Sequence, residues 1–204
     1  YYSLREGFAL NILKYVGRRV PCKRRTPFVN LGIHTPYELL NASGDVSLWV
    51  RKAVWMGHTA LGICDRNTMG ATLALQKACG KAGIRSVIGY TCTLAHEGKK
   101  VEVKIYCQSQ RGLRNLLRIQ KAVMVDAADA TVSLPELLRR GEGNVLVFGK
   151  LAPRWMEKNL HAVSALRETF DNVFYQVDLS EYKAERLDAE VLKATAHFFH
   201  AFYD

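Results

Sequence analysis

The segment Phe28–Leu94 alternates short apolar runs with amphipathic stretches, and this alternation restricts the possible fold more than any other feature of the sequence. Thr59–Cys64 is a short, mostly apolar run with β-branched residues, which is typical of a buried strand. Similar runs, Phe28–Ile33 and Arg85–Thr91, lie on either side of it along the chain. The order strand–helix–strand–helix–strand predicts an α/β fold in which helical crossovers join parallel strands.

Polar residues follow the first two of these strands directly. His34 and Thr35 come after the first strand, and Asp65 comes after the second. In α/β folds the carboxyl ends of the strands carry the chemistry, so we expect a site at this edge. Asn67 or Thr68 is expected to cap a helix that starts at Met69, and the apolar spacing predicts a helix over Ala71–Ala82 that ends at Gly83.

The helix between the first and second strands is predicted to begin after a cap at Asp45 or Ser47 and to end at Gly57. Its spacing predicts a buried stripe, formed by Val46, Trp49, Val50, Ala53 and Val54.

The same alternation continues to the end of the chain. Strands are predicted at Val101–Cys107, Asn144–Phe148 and Val173–Leu179, and helices at Arg111–Val123, Ser133–Arg140, Met156–Thr169 and Ala184–Phe199. In the Arg111–Val123 helix the predicted inward residues are Leu113, Leu116, Leu117 and Ala122, and the outward ones are Arg111, Arg114, Arg118 and Lys121. Apart from one closely spaced strand pair around Ala95–Lys100, this order predicts a parallel sheet, either open or closed into a barrel.

Composition excludes several classes of protein. A chain of 204 residues that is 49% hydrophobic can bury one sizeable core. No run approaches the roughly eighteen apolar residues that would span a membrane, and the N-terminus lacks the pattern of a signal peptide. The five cysteines form no Cys-x-x-Cys pair, which favours free thiols in a reducing cytoplasm over disulfides or a zinc cluster.

The positive charge is concentrated in residues 1–26. This segment has seven basic residues against Glu6 alone, which is +6 of the chain's +10. A basic arm on a nearly balanced body of residues 27–204 favours contact with a polyanion, most simply DNA. The candidate DNA-binding residues are Arg18, Arg19, Lys23, Arg24 and Arg25. The alternative is a solvated linker, and the sequence favours neither.

Several segments resemble the polymerase-and-histidinol-phosphatase (PHP) domain of bacterial DNA polymerase III alpha subunits. Residues 28–42, which read FVNLGIHTPYELLNA, resemble the family's opening strand, a His-x-His-x-His-Ser motif followed by Tyr-Ser-Leu-Leu-Asp-Gly. Residues 62–71 resemble its second motif, where Asp-His follows the second strand, and residues 77–89 resemble the helix and strand that lead to a Glu. The resemblance covers roughly residues 27–180 and lies in the order of the motifs.

The resemblance implies a TIM-like barrel of seven strand–helix units, which this chain would leave incomplete before its last strand. Active members hold two or three metal ions at the strand ends and hydrolyse phosphoesters. Imidazole suits zinc or manganese, and bridging carboxylates hold several ions close together.

This sequence departs from the family at most of the implied ligand positions. Asn30 and Gly32 stand where the family has histidines, Arg66 replaces the second-motif His, and Thr91 replaces the Glu. Only His34 and Asp65 remain. We interpret them as inert remnants of a metal site, without a bound metal, rather than as ordinary polar residues at strand ends, with Asp65 paired to Arg66. His197 and His200, spaced i, i+3 on one helix, are interpreted as a surface stripe rather than as ligands.

Three hypotheses follow from these observations. The first is a structural PHP domain without a cofactor, in a polymerase whose own active site would use Mg²⁺. Its partners would be DNA, the palm and thumb of the parent chain and other replication proteins, in the cytoplasm. The second is a residual Zn- or Mn-dependent phosphoesterase or 3′–5′ exonuclease that uses His34 and Asp65. The third is an unrelated α/β module that binds an anion.

Overall fold

The structure, a computed structural model, describes residues 28–39, 41–149 and 152–176. The predicted arm of residues 1–26, the predicted Ala184–Phe199 helix, the candidate DNA-binding residues, and His197 and His200 lie outside the described residues. Within the described ranges, strands and helices alternate as the sequence predicts. The strands are β1 Asn30–Ile33, β2 Ala60–Ile63, β3 Arg85–His96, β4 Lys99–Cys107, β5 Thr131–Ser133, β6 Asn144–Phe148 and β7 Asn172–Tyr175. The helices are α1 Val46–Trp55, α2 Thr72–Ala82, α3 Gln110–Lys121, α4 Leu134–Arg139, α5 Ala152–Lys158 and α6 Leu160–Thr169, with a π-helical turn at Ala122–Asp126.

The seven strands form one sheet in the order β1-β2-β3-β4-β6-β7, and β5 pairs with β3. The pairs β1–β2, β2–β3, β3–β5 and β6–β7 are parallel, which confirms the α/β class and its strand–helix units. β4 runs antiparallel to both of its neighbours, so the sheet is mixed rather than wholly parallel. Within the described residues β1 and β7 do not pair with each other, so the sheet is open between them.

A two-residue turn reverses the chain between β3 and β4. Its residues, Glu97 and Gly98, both have positive φ, of 50° and 72°. Tight hairpins need this left-handed backbone, and glycine adopts it without a steric penalty. The turn lies within the closely spaced strand pair predicted from the sequence, and it explains why β4 is antiparallel.

Buried apolar side chains form two clusters. The smaller lies between β1, β2, α1 and α2 and includes Ile33, Val50 and Leu75. The larger lies among the remaining strands and helices and includes Leu94, Ile105 and Leu116. Both clusters support the strand ends that carry the candidate site.

The predicted faces of two helices are correct at the centre and wrong at the edges. Val46, Val50 and Ala53 are buried in α1, but Trp49 is 39% exposed and Val54 44% exposed. In α3, Leu116 is fully buried, while Leu117 is 48% exposed rather than inward.

Several predicted boundaries also differ from the structure. Asp45 caps α1 as predicted, accepting a hydrogen bond from the Ser47 amide. The predicted Ala71–Ala82 helix is α2, which runs from Thr72 to Ala82 and ends at Gly83 as predicted. It does not start at Met69 and has no side-chain cap, so neither Asn67 nor Thr68 caps it. The predicted Met156–Thr169 helix is two helices separated at Asn159, whose side-chain amide donates to the Trp155 carbonyl.

Candidate functional site: the ends of strands β1 to β3

The candidate site is built on the segments that leave β1 and β2 at their carboxyl ends. His34 and Thr35 follow β1, and Asp65 and Arg66 follow β2. β3 holds the second segment in place, because the Thr91 amide donates to the Asp65 carbonyl at 3.0 Å and the Asn67 amide donates to the Thr91 carbonyl at 2.9 Å. The parallel register of β1, β2 and β3 therefore brings these residues together at one edge, as predicted.

Asp65 is buried, with 1% of its surface exposed, and Thr35 is its partner. The Thr35 amide donates to Oδ1 and the Thr35 hydroxyl donates to Oδ2, each at 2.6 Å. Burial raises the pKa of Asp65 above its usual range, although both hydrogen bonds from Thr35 oppose this effect. The carboxylate is thus held by the residue that directly follows His34.

Glu38, which the sequence analysis did not select, is a central residue of the site. Its carboxylate accepts from His34 Nδ1 at 2.6 Å, from the Arg66 amide at 2.8 Å and from Asn41 Nδ2 at 2.8 Å. Burial alone would raise its pKa, but hydrogen bonds from Arg66, His34 and Asn41 outweigh burial and hold the pKa below its usual value. Glu38 is therefore ionised at neutral pH.

A signal for Glu38 was present in the sequence. Tyr37-Glu38-Leu39 aligns with the Tyr-Ser-Leu of the family's opening motif, so a carboxylate replaces a serine four residues after His34. Glu38 occupies the turn that follows β1, where its own amide donates to the Thr35 carbonyl at 2.9 Å. The turn directs its side chain toward His34, a contact that strand periodicity does not predict.

The predicted ion pair between Asp65 and Arg66 is wrong. The guanidinium group of Arg66 pairs instead with Glu102 of β4. Asp65 and Arg66 are consecutive residues in an extended segment, where neighbouring side chains point to opposite sides. Asp65 therefore faces Thr35, and Arg66 faces β4.

The side chain of Thr91 also has a local partner. Its hydroxyl donates to the Cys64 carbonyl at 2.7 Å, and it is 1% exposed. Thr91 stands where the resemblance implies a carboxylate ligand, and here its hydroxyl donates to the backbone of Cys64, the residue that directly follows β2. Gly32 offers no ligand atom in β1, and Asn30 uses its side-chain oxygen to accept from the Gly32 amide.

His34, Glu38 and Asp65 form the one cluster of potential metal ligands identified among the described residues. One ligand atom from each lies within 4.8 Å of the others. Three such atoms suit a single cation with an open position. They do not suit a cluster of two or three ions, because each ion would need several ligands of its own and the neighbouring positions carry Gly32, Arg66 and Thr91.

Comparison with known proteins agrees with this architecture. The family model described as PHP domain matches residues 30–147. The chain belongs to the PHP domain family. This excludes the hypothesis of an unrelated α/β module.

Curated relatives of this PHP chain include DNA polymerase III subunits alpha. The Bacillus subtilis (strain 168) protein is 30% identical over 99 residues, which cover 47% of this chain and 9% of that protein. The Staphylococcus aureus (strain COL) protein is 31% identical over 120 residues, covering 59% of this chain and 11% of that protein. The match thus spans only about a tenth of each relative's length.

Among solved structures, an amidohydrolase from Chromobacterium violaceum with bound sulfate and no metal has a TM-score of 0.49 to this chain. It is 10% identical, and the match covers 71% of this chain and 75% of that one.

None of the helices in the described part of the PHP chain has the length and hydropathy needed to span a bilayer.

Proposed function

We propose that this chain is the PHP domain of a DNA polymerase III alpha subunit and that its role there is structural rather than hydrolytic. The family membership and the similarity to polymerase alpha subunits support the first part. Palm and thumb domains of the parent chain would be its partners, together with DNA and other replication proteins, in the cytoplasm. Any Mg²⁺ would belong to the polymerase centre of the parent.

The observation that supports the non-hydrolytic role is that the polar groups of the site form hydrogen bonds with one another. Asp65 accepts two hydrogen bonds from Thr35, and Glu38 accepts from His34 and from the Arg66 amide. Arg66 stands where the resemblance implies a ligand, and its guanidinium group pairs with Glu102, so its side chain supplies no ligand atom to the site.

The test of the non-hydrolytic role is an exonuclease and phosphatase assay on the 204-residue chain. A 3′-labelled oligonucleotide and a phosphomonoester are incubated with Mn²⁺ or Zn²⁺. We expect no release of mononucleotide or phosphate above the level given by Asp65→Ala and Glu38→Gln. Hydrolysis that both substitutions abolish in folded protein would contradict the structural role.

We propose that the basic arm contacts DNA through five residues: Arg18, Arg19, Lys23, Arg24 and Arg25. Each phosphate contact releases counterions, so binding should weaken steeply as salt rises. The triple replacement of Lys23, Arg24 and Arg25 by alanine should flatten that dependence. Unchanged binding in the triple variant would rule out contact through the arm.

A second candidate function is a phosphoesterase or exonuclease with a single Zn²⁺ or Mn²⁺. The clustering of His34, Glu38 and Asp65 favours it. Nδ1 of His34 bonds to Glu38, so a metal that used this nitrogen would have to displace that hydrogen bond, whereas Nε2 could bind a metal without displacing it. Calorimetric titration with Mn²⁺ or Zn²⁺ distinguishes the two candidate functions. The phosphoesterase requires a one-to-one complex with the metal, which Glu38→Gln should weaken, and hydrolysis that depends on the bound metal.

A further inference from the structure

A groove with four arginines lies on the face of α3 that points away from the core. Its volume is about 560 Å³. Its charged lining residues are Arg111, Arg114 and Arg118 of α3, Arg139 of α4, and Glu142 in the turn before β6. Four arginines and one glutamate give this lining a formal charge of +3.

The charges on α3 form a stripe along one helix face. Arg111, Arg114 and Arg118 are spaced i, i+3 and i+7, and they extend over about 10 Å at 1.5 Å per residue. Among the described residues, Arg114 and Arg118 form no ion pair, and both are exposed. Like charges at i, i+4 disfavour a helix slightly, so this pair does not serve the stability of α3.

The other two arginines of the groove have acidic neighbours. Nη1 of Arg111 lies 2.5 Å from Glu142 Oε1, and Nη1 of Arg139 lies 3.6 Å from Glu136 Oε2. Both arginines remain largely exposed, at 69% and 74% of their side chains. Asn115 holds the turn that carries Glu142 against α3, since its side-chain amide donates to the Glu142 carbonyl at 2.9 Å. A hydrogen bond thus holds one side of the groove in place, and two of its described arginines, Arg114 and Arg118, have no carboxylate partner.

We propose that this groove, called here the α3 groove, binds the phosphodiester backbone of a nucleic acid. A row of guanidinium groups fits a linear polyanion better than it fits one small anion. The planar donor fork of arginine matches phosphate oxygens in a bidentate geometry. The choice of nucleic acid over an acidic protein rests on the proposed function, in which the domain works beside DNA. The described residues that line the α3 groove differ from the residues 1–26 of the predicted arm and from those of the site at the strand ends.

The test measures binding of a fluorescein-labelled single strand, and of the same sequence as a duplex, to the 204-residue chain by anisotropy. Arg114→Gln with Arg118→Gln should weaken binding at least about fivefold at low salt, and the slope of log K against log salt should fall by about 1.4 to 1.8. Glu142→Gln should act in the opposite direction and tighten binding, because Glu142 is the acidic side chain among the described residues of the lining. Whichever strand form shows these effects is the form that the groove binds.

A matched control is available on α2. Lys77 and Lys81 are exposed, share the i, i+4 spacing and carry the same charge as the arginine pair. Lys77→Gln with Lys81→Gln changes net charge equally and should leave affinity within about twofold. If both double variants lost the same amount of binding affinity, net charge alone would explain the effect, and the proposal would be overturned.

Two further outcomes would also overturn it. One is unchanged binding in the arginine double variant while the arm variant loses binding, which would leave the arm as the DNA contact and the proposed function intact. The other is displacement of the oligonucleotide by poly-glutamate at equal charge concentration, which would indicate an acidic protein instead. Hydrolysis assays report separately on the structural role of the domain.

Discussion

Thr35 holds the buried carboxylate of Asp65 with both of its donors, its amide and its hydroxyl. A carboxylate in this position has little access to water, since Asp65 is 1% exposed. Loss of a donor therefore leaves a polar oxygen buried without a partner, which costs more than the hydrogen bond itself contributes.

Thr35→Val removes the hydroxyl but keeps the shape of the side chain. We expect it to lower the free energy of unfolding by about 1–3 kcal/mol, measured by urea denaturation at neutral pH. Thr35→Ser is the control, because it keeps the donor and loses only a methyl group, a change of about 1 kcal/mol. A smaller loss for the valine variant than for the serine variant would mean that the hydroxyl does not stabilise Asp65.

For these single residues, the sequence predicted which strand ends carry polar side chains but not which hydrogen bonds and ion pairs those side chains form. His34 and Asp65 lie at the same edge, as the parallel strand order requires. Glu38 was missed because it lies in a turn, where no periodicity indicates the direction of a side chain. The partner of Arg66, Glu102, comes from a strand 36 residues away, and only the register of the sheet brings the two together.

Single elements show why the predicted helix faces were only partly correct. At about 100° per residue, Trp49 and Val54 lie about 70° from the centre of the face formed by Val46, Val50 and Ala53. Residues at the edge of a stripe are buried only if a neighbouring element covers them. The sequence of the helix alone does not contain that information.

Two adjacent leucines of α3 provide a direct test of its orientation. Leu116 is fully buried and Leu117 is 48% exposed. Leu116→Ala should lower the free energy of unfolding by about 2–5 kcal/mol, because it opens a cavity in the larger core. Leu117→Ala should cost less than about 1 kcal/mol, consistent with an exposed position. Equal losses in denaturant titrations would contradict the described orientation of α3.

The cap of α1 makes a pH-dependent contribution to stability. The Ser47 amide donates to Asp45, and this hydrogen bond lowers the pKa of Asp45 below the usual value of an aspartate. A carboxyl whose pKa is lowered by folding stabilises the fold above its unfolded pKa, and that contribution is lost as pH falls through the folded pKa.

The difference in unfolding free energy between the wild type and Asp45→Ala should therefore be constant near neutral pH and should shrink below about pH 4. Asp45→Asn caps without a titrating group, so its difference from Asp45→Ala should not change over the same range. The measurement is urea denaturation of the three proteins at a series of pH values. If the difference in unfolding free energy between the wild type and Asp45→Ala stayed constant down to pH 2, a contribution from the ionised Asp45 cap would be excluded.

For the whole molecule, the sequence predicted the α/β class and most of its elements because local periodicity determines them. The reversed direction of β4 follows from the turn at Glu97 and Gly98, whose positive φ angles are a property of two residues rather than of a pattern. The division of positive charge between arm and body was also visible in the sequence. The α3 groove was not, because Arg139 of α4 and Glu142 of the turn before β6 reach it only through the packing of these two segments beside α3.

We propose for the whole molecule that the strand ends do not hold the cluster of several ions that the resemblance implies for hydrolytic PHP domains. The measurement is the metal content of the 204-residue chain after exposure to Zn²⁺ and Mn²⁺ and extensive dialysis, determined by elemental analysis. We expect less than one retained ion per chain, since His34, Glu38 and Asp65 are the ligands available among the described residues and each already has a hydrogen-bond partner. Two or more retained ions per chain, lost together in Asp65→Ala, would contradict it.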